Sequence, residues 1–469
     1  MSNIKSVKFS NDSSAHKTLP KNIPNNVHGL EVGDIPLALY IHIPWCVKKC
    51  PYCDFNSHEL PSGMQLSMYD EYVDALLLDA AMQHPLTQGR EISSIFIGGG
   101  TPSLLPIEQY QRLFTGLRQI LTFADDIEVT MEANPGTLEH APFAQYLDVG
   151  INRLSIGVQS FAADKLTTLG RIHDPVQALS AIHAARAAGF ERVNVDLMHG
   201  LPQQNMNEAL DDIQMAHYAG ATHISWYQLT IEPNTVFFRS QPILPDEDNL
   251  ADIEQAGQSL LQQLGYTNYE VSAWSGNHDK PCRHNVNYWQ FGDYLAIGAG
   301  AHGKVTVAPK SLGVDKSSDA NKALNSNEVS KLDKSHSHSQ ALSTNAILNH
   351  DLLAESGIYR FSKSRLPKDY LNYQNVNELS TIGRSAPKMV GWQAVASDEL
   401  VSEFMLNALR LHDGVAWSLF TARTGLGYDD IARQVDALVA QGLLMDNAER
   451  LQPTLLGQRY LNQILRAFL

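Results

Sequence analysis

From residue 37 the chain alternates short, β-rich apolar runs with longer helical patterns. The runs are "LALYIHI" (37–43), "SIFIG" (94–98), "IEVTME" (127–132), "RLSIGVQ" (153–159), "RVNVDLM" (192–198) and "HISWYQL" (223–229). Between them, "SMYDEYVDALLLDAAMQ" (67–83), "PIEQYQRLFTGLRQIL" (106–121), "DPVQALSAIHAARAAG" (174–189, with Gly189 as the stop) and "MNEALDDIQMAHYAG" (206–220) predict helices. Repeated β/α units of this kind predict a mostly parallel sheet, curled or closed like a barrel; a doubly wound open sheet has the same strand count. Polar or glycine residues fall at the C-terminal ends of successive strands: Cys46, Gly98 to Thr101, Glu132, Gln159 and Asp196. In β/α barrels that edge gathers the chemistry.

The pattern breaks after residue 304. Residues 310–345 carry no aromatic side chain and are dominated by Ser, Lys, Asn and Asp. They cannot bury enough apolar surface to offset the entropy of ordering, which predicts a disordered insertion over 304–345. The "HSHS" within it lacks the fixed partners of a metal site. Globular patterning resumes over 346–469, and its last helix, "LQPT" turn and helix resemble a winged helix without a basic recognition face. Residues 1–35 form a polar tail with no apolar leader core. No later segment approaches the about eighteen apolar residues of a membrane span, so the cytoplasm is the expected compartment. A formal net charge of -15 argues against a nucleic-acid partner.

Three of the four cysteines stand in "IPWCVKKCPYCDF" (43–55), spaced C-x3-C-x2-C at Cys46, Cys50 and Cys53. A disulfide framework does not look like this, and thiols kept reduced suit metal binding. Zinc asks for a fourth ligand, which His42 or His58 could supply. A [4Fe-4S] cluster takes one ligand per iron, so three thiolates leave one iron open to something else. "GGGTP" (98–102) removes side chains from a strand end, letting backbone meet a ligand.

Together "YIHIPWCVKKCPYC", "GGGTPS", "EANPGT", "GINRLSIGVQSF", "LGRIHD" and "NVDLMHGLP" resemble, in order over residues 36–303, the radical S-adenosylmethionine (SAM) enzymes of the oxygen-independent coproporphyrinogen III oxidase family. The resemblance implies a partial (β/α)6 barrel over 36–303 with its extension and a smaller α-rich C-terminal domain. It also implies a cluster on Cys46, Cys50 and Cys53 whose open iron is chelated by SAM, and an electron donor to cleave that SAM. Carried over by motif, Tyr40 and Tyr52 flank SAM, Gly99, Gly100 and Thr101 meet its methionyl part, and Glu132, Gln159, Arg171 and Asp196 complete the pocket. Arg171 suits a carboxylate through its planar fork, and Asp196 suits ribose hydroxyls.

One departure separates two branches of the family. The oxidases resemble C-x3-C-x2-C-x-C, whereas Phe55 stands here at the last position. "HNVNYW" (284–289) matches the HNxxYW motif associated with haem in the haem-chaperone branch, which implies haem as cargo and a haem protein as acceptor. His284 is the implied iron ligand, with Tyr288 and Trp289 against the porphyrin face; Cys282 is a lesser candidate. On this reading no residue is assigned a catalytic role. Oxidative decarboxylation of coproporphyrinogen III is the alternative, and radical modification of tRNA lacks the expected basic surface.

Overall fold

The computed structural model describes residues 30–61, 66–136, 143–308, 356–372 and 389–469. Of the disordered insertion expected over 304–345, residues 309–345 lie outside the described residues, as does most of the expected N-terminal tail, whereas 304–307 are buried in a strand because Lys304 and Thr306 are satisfied by Asp293. The last residues of that tail are folded: Leu30, Val32 and Ile35 are buried beside a single 3-10 turn at Val32–Asp34.

Six strands, β1 (Leu37–Ile43), β2 (Ile92–Gly99), β3 (Phe123–Ala133), β4 (Arg153–Gln159), β5 (Arg192–His199) and β6 (His223–Gln228), pair in chain order, each parallel to the next. Consecutive order contains no reversal, which removes the doubly wound alternative. Right-handed crossovers that always add a strand on the same side leave every connecting helix on one face of the sheet. Side-chain alternation along the strands matches that asymmetry. Leu39, Ile41, Ile95, Ile97 and Val195 pack into one core with Leu76, Leu113, Ile182 and Ile213 of the helices. Each such side chain contributes roughly 1.5–3 kcal/mol by burial. The alternate positions carry Tyr40, His42, Glu132, Ser155, Asp196 and Ser225, with Glu132 directly opposite Ser155 and Asp196 directly opposite Ser225.

The sheet stays open among the described residues. At the free edge of β6 lies the antiparallel hairpin of β7 (Tyr266–Glu270) and β8 (Ala273–Gly276), with β8 innermost. Beside β1 runs β9 (Asp293–Ile297), parallel to it, followed outward by β10 (His302–Val307), β11 (Gly357–Lys363) and β12 (Met389–Ala394), all antiparallel. The chain beyond residue 346 therefore returns to the same sheet before its helical part begins.

That part comprises helices Ser397–Ala408, Trp417–Thr424 and Ala432–Ala440, a two-stranded ribbon of Val415–Ala416 with Arg450–Leu451, and the short helices Leu455–Arg459 and Leu461–Arg466. The arrangement matches the winged-helix-like pattern. Its core of Phe404, Phe420, Leu438 and Ile464 is continuous with Leu30, Tyr269 and Phe291, so it packs on the sheet's extensions.

Candidate functional site

Three cysteines share the loop that leaves β1. Trp45–Cys46 pairs with His58–Glu59, closing that loop at its base. Cys46, Cys50 and Cys53 are all half-buried. Each thiol has its own polar neighbour: Thr101 Oγ1 lies 3.5 Å from Cys46 Sγ, Arg171 Nη1 3.7 Å from Cys50 Sγ, and Ser57 Oγ 3.8 Å from Cys53 Sγ. Such donors stabilise thiolates. Burial alone pushes the thiols of Cys46 and Cys53 up, so metal ligation is what would hold them deprotonated. Among the described residues no three His, Cys, Asp or Glu side chains gather as a single-ion site would. A cluster asks instead for one thiolate per iron.

His42, weighed as a fourth zinc ligand, is engaged at both ring nitrogens. Tyr40 Oη donates to Nδ1 at 2.9 Å, and Nε2 donates to the Asn56 carbonyl at 2.9 Å. Burial lowers its pKa to about 4, so the ring is neutral. His58 Nε2 lies 3.2 Å from the Arg365 carbonyl.

The glycine run is pressed against the cysteine loop. Gly100 N–H donates to the Ile43 carbonyl and Thr101 N–H to that of Trp45, each at 2.7 Å. Gly99 has φ +117°, and a Cβ there would come within 2.5 Å of the His42 ring. A Cβ on Gly100 would meet the Trp45 carbonyl oxygen at 2.5 Å. Neither position admits a side chain, which leaves the backbone edge bare.

Behind this edge lie two half-buried carboxyls. Glu132 accepts from Gly99 N–H at 3.2 Å, and burial, reinforced by Asp196, raises its pKa to about 8. Burial also raises Asp196, which accepts from Asn194 at 2.7 Å and Ser155 at 3.0 Å. Gln159, at φ +72°, accepts from Tyr227 Oη at 2.8 Å. Arg171 donates to the Gly157 carbonyl at 2.5 Å, while its buried Nε has no partner among the described residues. Tyr52 packs on Phe237 at 6.4 Å between ring centroids. Two acids on one side, an underused guanidinium on the other and bare backbone between suit a ligand carrying amine, carboxylate and hydroxyl groups.

Further along the inner face, the helix Arg283–Trp289 is anchored at its start by Glu128 of β3. That carboxylate accepts from the backbone N–H of Arg283 at 3.1 Å and of His284 at 3.3 Å, and from Cys282 Sγ at 3.5 Å. Arg192, which also pairs with Asp279, holds it from the other side. Cys282 is thus buried near the N-terminal start of β3, whereas the other cysteines follow the C-terminal end of β1. His284 is buried too. Its Nε2 lies 2.7 Å from Tyr288 Oη, its Nδ1 3.4 Å from Ser94 Oγ, and its ring stacks on Phe96 at 5.2 Å. Burial takes its pKa down to about 3. Tyr288 and Trp289, by contrast, face a cavity of about 880 Å³ whose walls also include Phe55, Gly99, Glu132 and Arg365. His284 stands one layer behind that wall.

A match to the Radical SAM superfamily spans residues 40–216, and one to the HemN C-terminal domain spans 395–460. The Heme chaperone HemW of Escherichia coli (strain K12) is 42% identical over 437 residues, covering 92% of this chain and 98% of that protein. The chain belongs to the HemW family. The Heme chaperone HemW of Haemophilus influenzae gives 41% identity over 438 residues, with 92% and 98% coverage. In fold, this HemW-family chain is similar to coproporphyrinogen III oxidase (HemN) from Escherichia coli, with a TM-score of 0.68 at 22% identity, covering 92% of this chain and 90% of that one.

Sequence reasoning missed several supports of the site. Asn56 clasps the cysteine loop to Ala299 and Arg365 through its amide, at 3.0 and 2.9 Å. Tyr227 fixes Gln159, and Glu128 fixes the start of the HNVNYW helix. No local signal marks these residues, because their partners lie up to 309 positions away.

Proposed function

We propose that this HemW-family protein is a haem chaperone that holds a [4Fe-4S] cluster on Cys46, Cys50 and Cys53, binds SAM, and passes haem to an acceptor haem protein. The observation that carries the reading is the cavity of about 880 Å³ that runs from Phe55 on the cysteine loop to Tyr288 and Trp289. It lies toward the upper end of the roughly 300–1,000 Å³ typical of small-molecule sites and offers flat aromatic walls to a flat ligand. The naming of the Escherichia coli and Haemophilus influenzae relatives supports the same cargo.

The residues divide the work by chemistry. Thr101, Ser57 and Arg171 donate toward the three thiolates. Gly99, Gly100 and Thr101 present backbone to the methionyl part of SAM, Arg171 faces its carboxylate, Glu132 and Gln159 line the pocket, and Asp196 accepts from ribose hydroxyls. Tyr40 and Tyr52 close the flanks. When bound, the cluster supplies one electron, from a separate donor, to the SAM sulfonium. Tyr288 and Trp289 lie along the haem face, and His284, neutral and one layer behind that wall, would reach the iron only if Tyr288, its hydrogen-bond partner, swings aside. One weak protein ligand with aromatic contacts suits a carrier that must also release.

The test uses the full chain reconstituted anaerobically. About one haem per chain is expected, alongside about four irons and four sulfides that are lost on Cys46→Ser. His284→Ala is expected to shift the haem absorption spectrum. With cluster, SAM, a reductant and coproporphyrinogen III, no protoporphyrinogen above a protein-free control is expected. Turnover in that assay without stoichiometric haem would move the assignment to the oxidase.

A further inference from the structure

The cavity carries an unusual concentration of cations for a chain of net charge -15. Lys304, Arg360, Lys363 and Arg365 all line it. Three are neutralised from behind. Lys304 pairs with Asp293 at 2.9 Å and Lys363 with Asp79 at 2.7 Å, while Arg360 donates to Glu403 and to Tyr294 Oη. The guanidinium of Arg365 is exposed and has no hydrogen-bond or ion-pair partner among the described residues. Its backbone is nevertheless fixed: the Arg365 carbonyl accepts from Asn56 Nδ2 at 2.9 Å and faces His58 Nε2 at 3.2 Å, and the preceding Ser364 carbonyl accepts from Gly300 N–H at 2.8 Å. A cation is thus held at the cavity wall by the cysteine loop and left with its charge unused. Phe55, which is 63% exposed, lines the same cavity with Tyr288 and Trp289. Aromatic walls and one unpaired guanidinium match a flat apolar ligand with carboxylates at its edge.

Building on the haem-cavity reading above, we infer that Arg365 is a specificity-determining residue that binds a propionate carboxylate of haem. An Arg–carboxylate pair can form two charge-assisted hydrogen bonds, and its loss is worth about tenfold in affinity. Because the Arg365 guanidinium makes no hydrogen bond or ion pair among the described residues, Arg365→Gln is expected to leave the fold intact.

The experiment titrates ferric haem and its dimethyl ester, in which the carboxylates are masked, into the unsubstituted chain, Arg365→Gln and Arg365→Lys. Expected are an about tenfold weaker haem complex in Arg365→Gln, a similar penalty for the ester in the unsubstituted chain, no ester penalty in Arg365→Gln, and partial recovery in Arg365→Lys. SAM affinity is expected to be equal in all three. Haem binding unchanged in Arg365→Gln, an ester penalty that survives the substitution, or a loss confined to SAM would overturn the inference while leaving the haem reading standing. Failure of the unsubstituted chain to bind haem would overturn both.

Discussion

Glu132 shows most directly what the open, polar face of the sheet costs when no ligand covers it. Its carboxyl is raised from about 4.5 to about 8 by burial and by Asp196, so the folded chain holds a proton there that the unfolded chain releases. Between those two values the folded state binds more protons. Stability therefore falls as pH rises through that window, and the penalty is complete above about 8. Glu132→Gln keeps an acceptor for the Gly99 N–H and removes the charge. It is expected to flatten the pH dependence of the ligand-free melting temperature between pH 5 and 8, and to stabilise the chain by a few kcal/mol at pH 9. A variant no more stable than its parent at pH 9 in differential scanning calorimetry would contradict that account. Residue types and spacing made much of this surface legible, because Gly99, Gly100, Thr101, Glu132 and Asp196 all fall at strand ends. His284 was legible as a motif but not in its placement, since nothing in "HNVNYW" reveals that Phe96 and Ser94 cover its ring.

At the scale of elements, the six parallel strands could be read from the sequence because each joins an apolar set to a helix with matching periodicity. β1 and β4 begin and end where expected, and the helix Pro175–Ala187, ahead of β5, starts at a capping box of Asp174 with Gln177. The extensions could not. β8 has four residues, and β9 takes its place beside β1 only through contacts some 250 positions away in the chain, a topology that local propensity does not encode. One consequence concerns the segment between β10 and β11. These strands pair antiparallel, with Val307 directly opposite Gly357, so the ends of the intervening chain already sit where a tight hairpin would put them. Replacing residues 309–355 by a four-residue Gly-containing turn is expected to leave haem binding unchanged. It should also raise the melting temperature slightly, because each halving of a loop recovers only about 0.6 kcal/mol of closure entropy. A lower melting temperature or reduced haem content would show that the segment packs or binds.

Over the whole molecule, the polar interior and the aromatic-lined core together bury several histidines in the neutral form. Burial holds His42, His173 and His199 near about 4 and His284 near about 3, each well below its ordinary value of 6.5. For a base with a depressed folded pKa, the unfolded state takes up the proton first as the solution is acidified. Stability is therefore unaffected above about 6.5 and declines as pH falls from there toward the folded values. Each group contributes up to 1.36 kcal/mol per pH unit across that range, so four acting together contribute several kcal/mol of acid destabilisation by pH 5. The opposing slope in the same window comes from Glu132, from Asp212, which burial raises to about 7, and from Asp196 and Glu270, which burial also raises, so it offsets part of the histidine contribution. Denaturant titrations at pH 6.5 and 5 are expected to show a loss at the lower pH, accompanied by net uptake of protons on unfolding there. Equal stability at pH 6.5 and 5 would contradict a molecule whose core histidines are neutral.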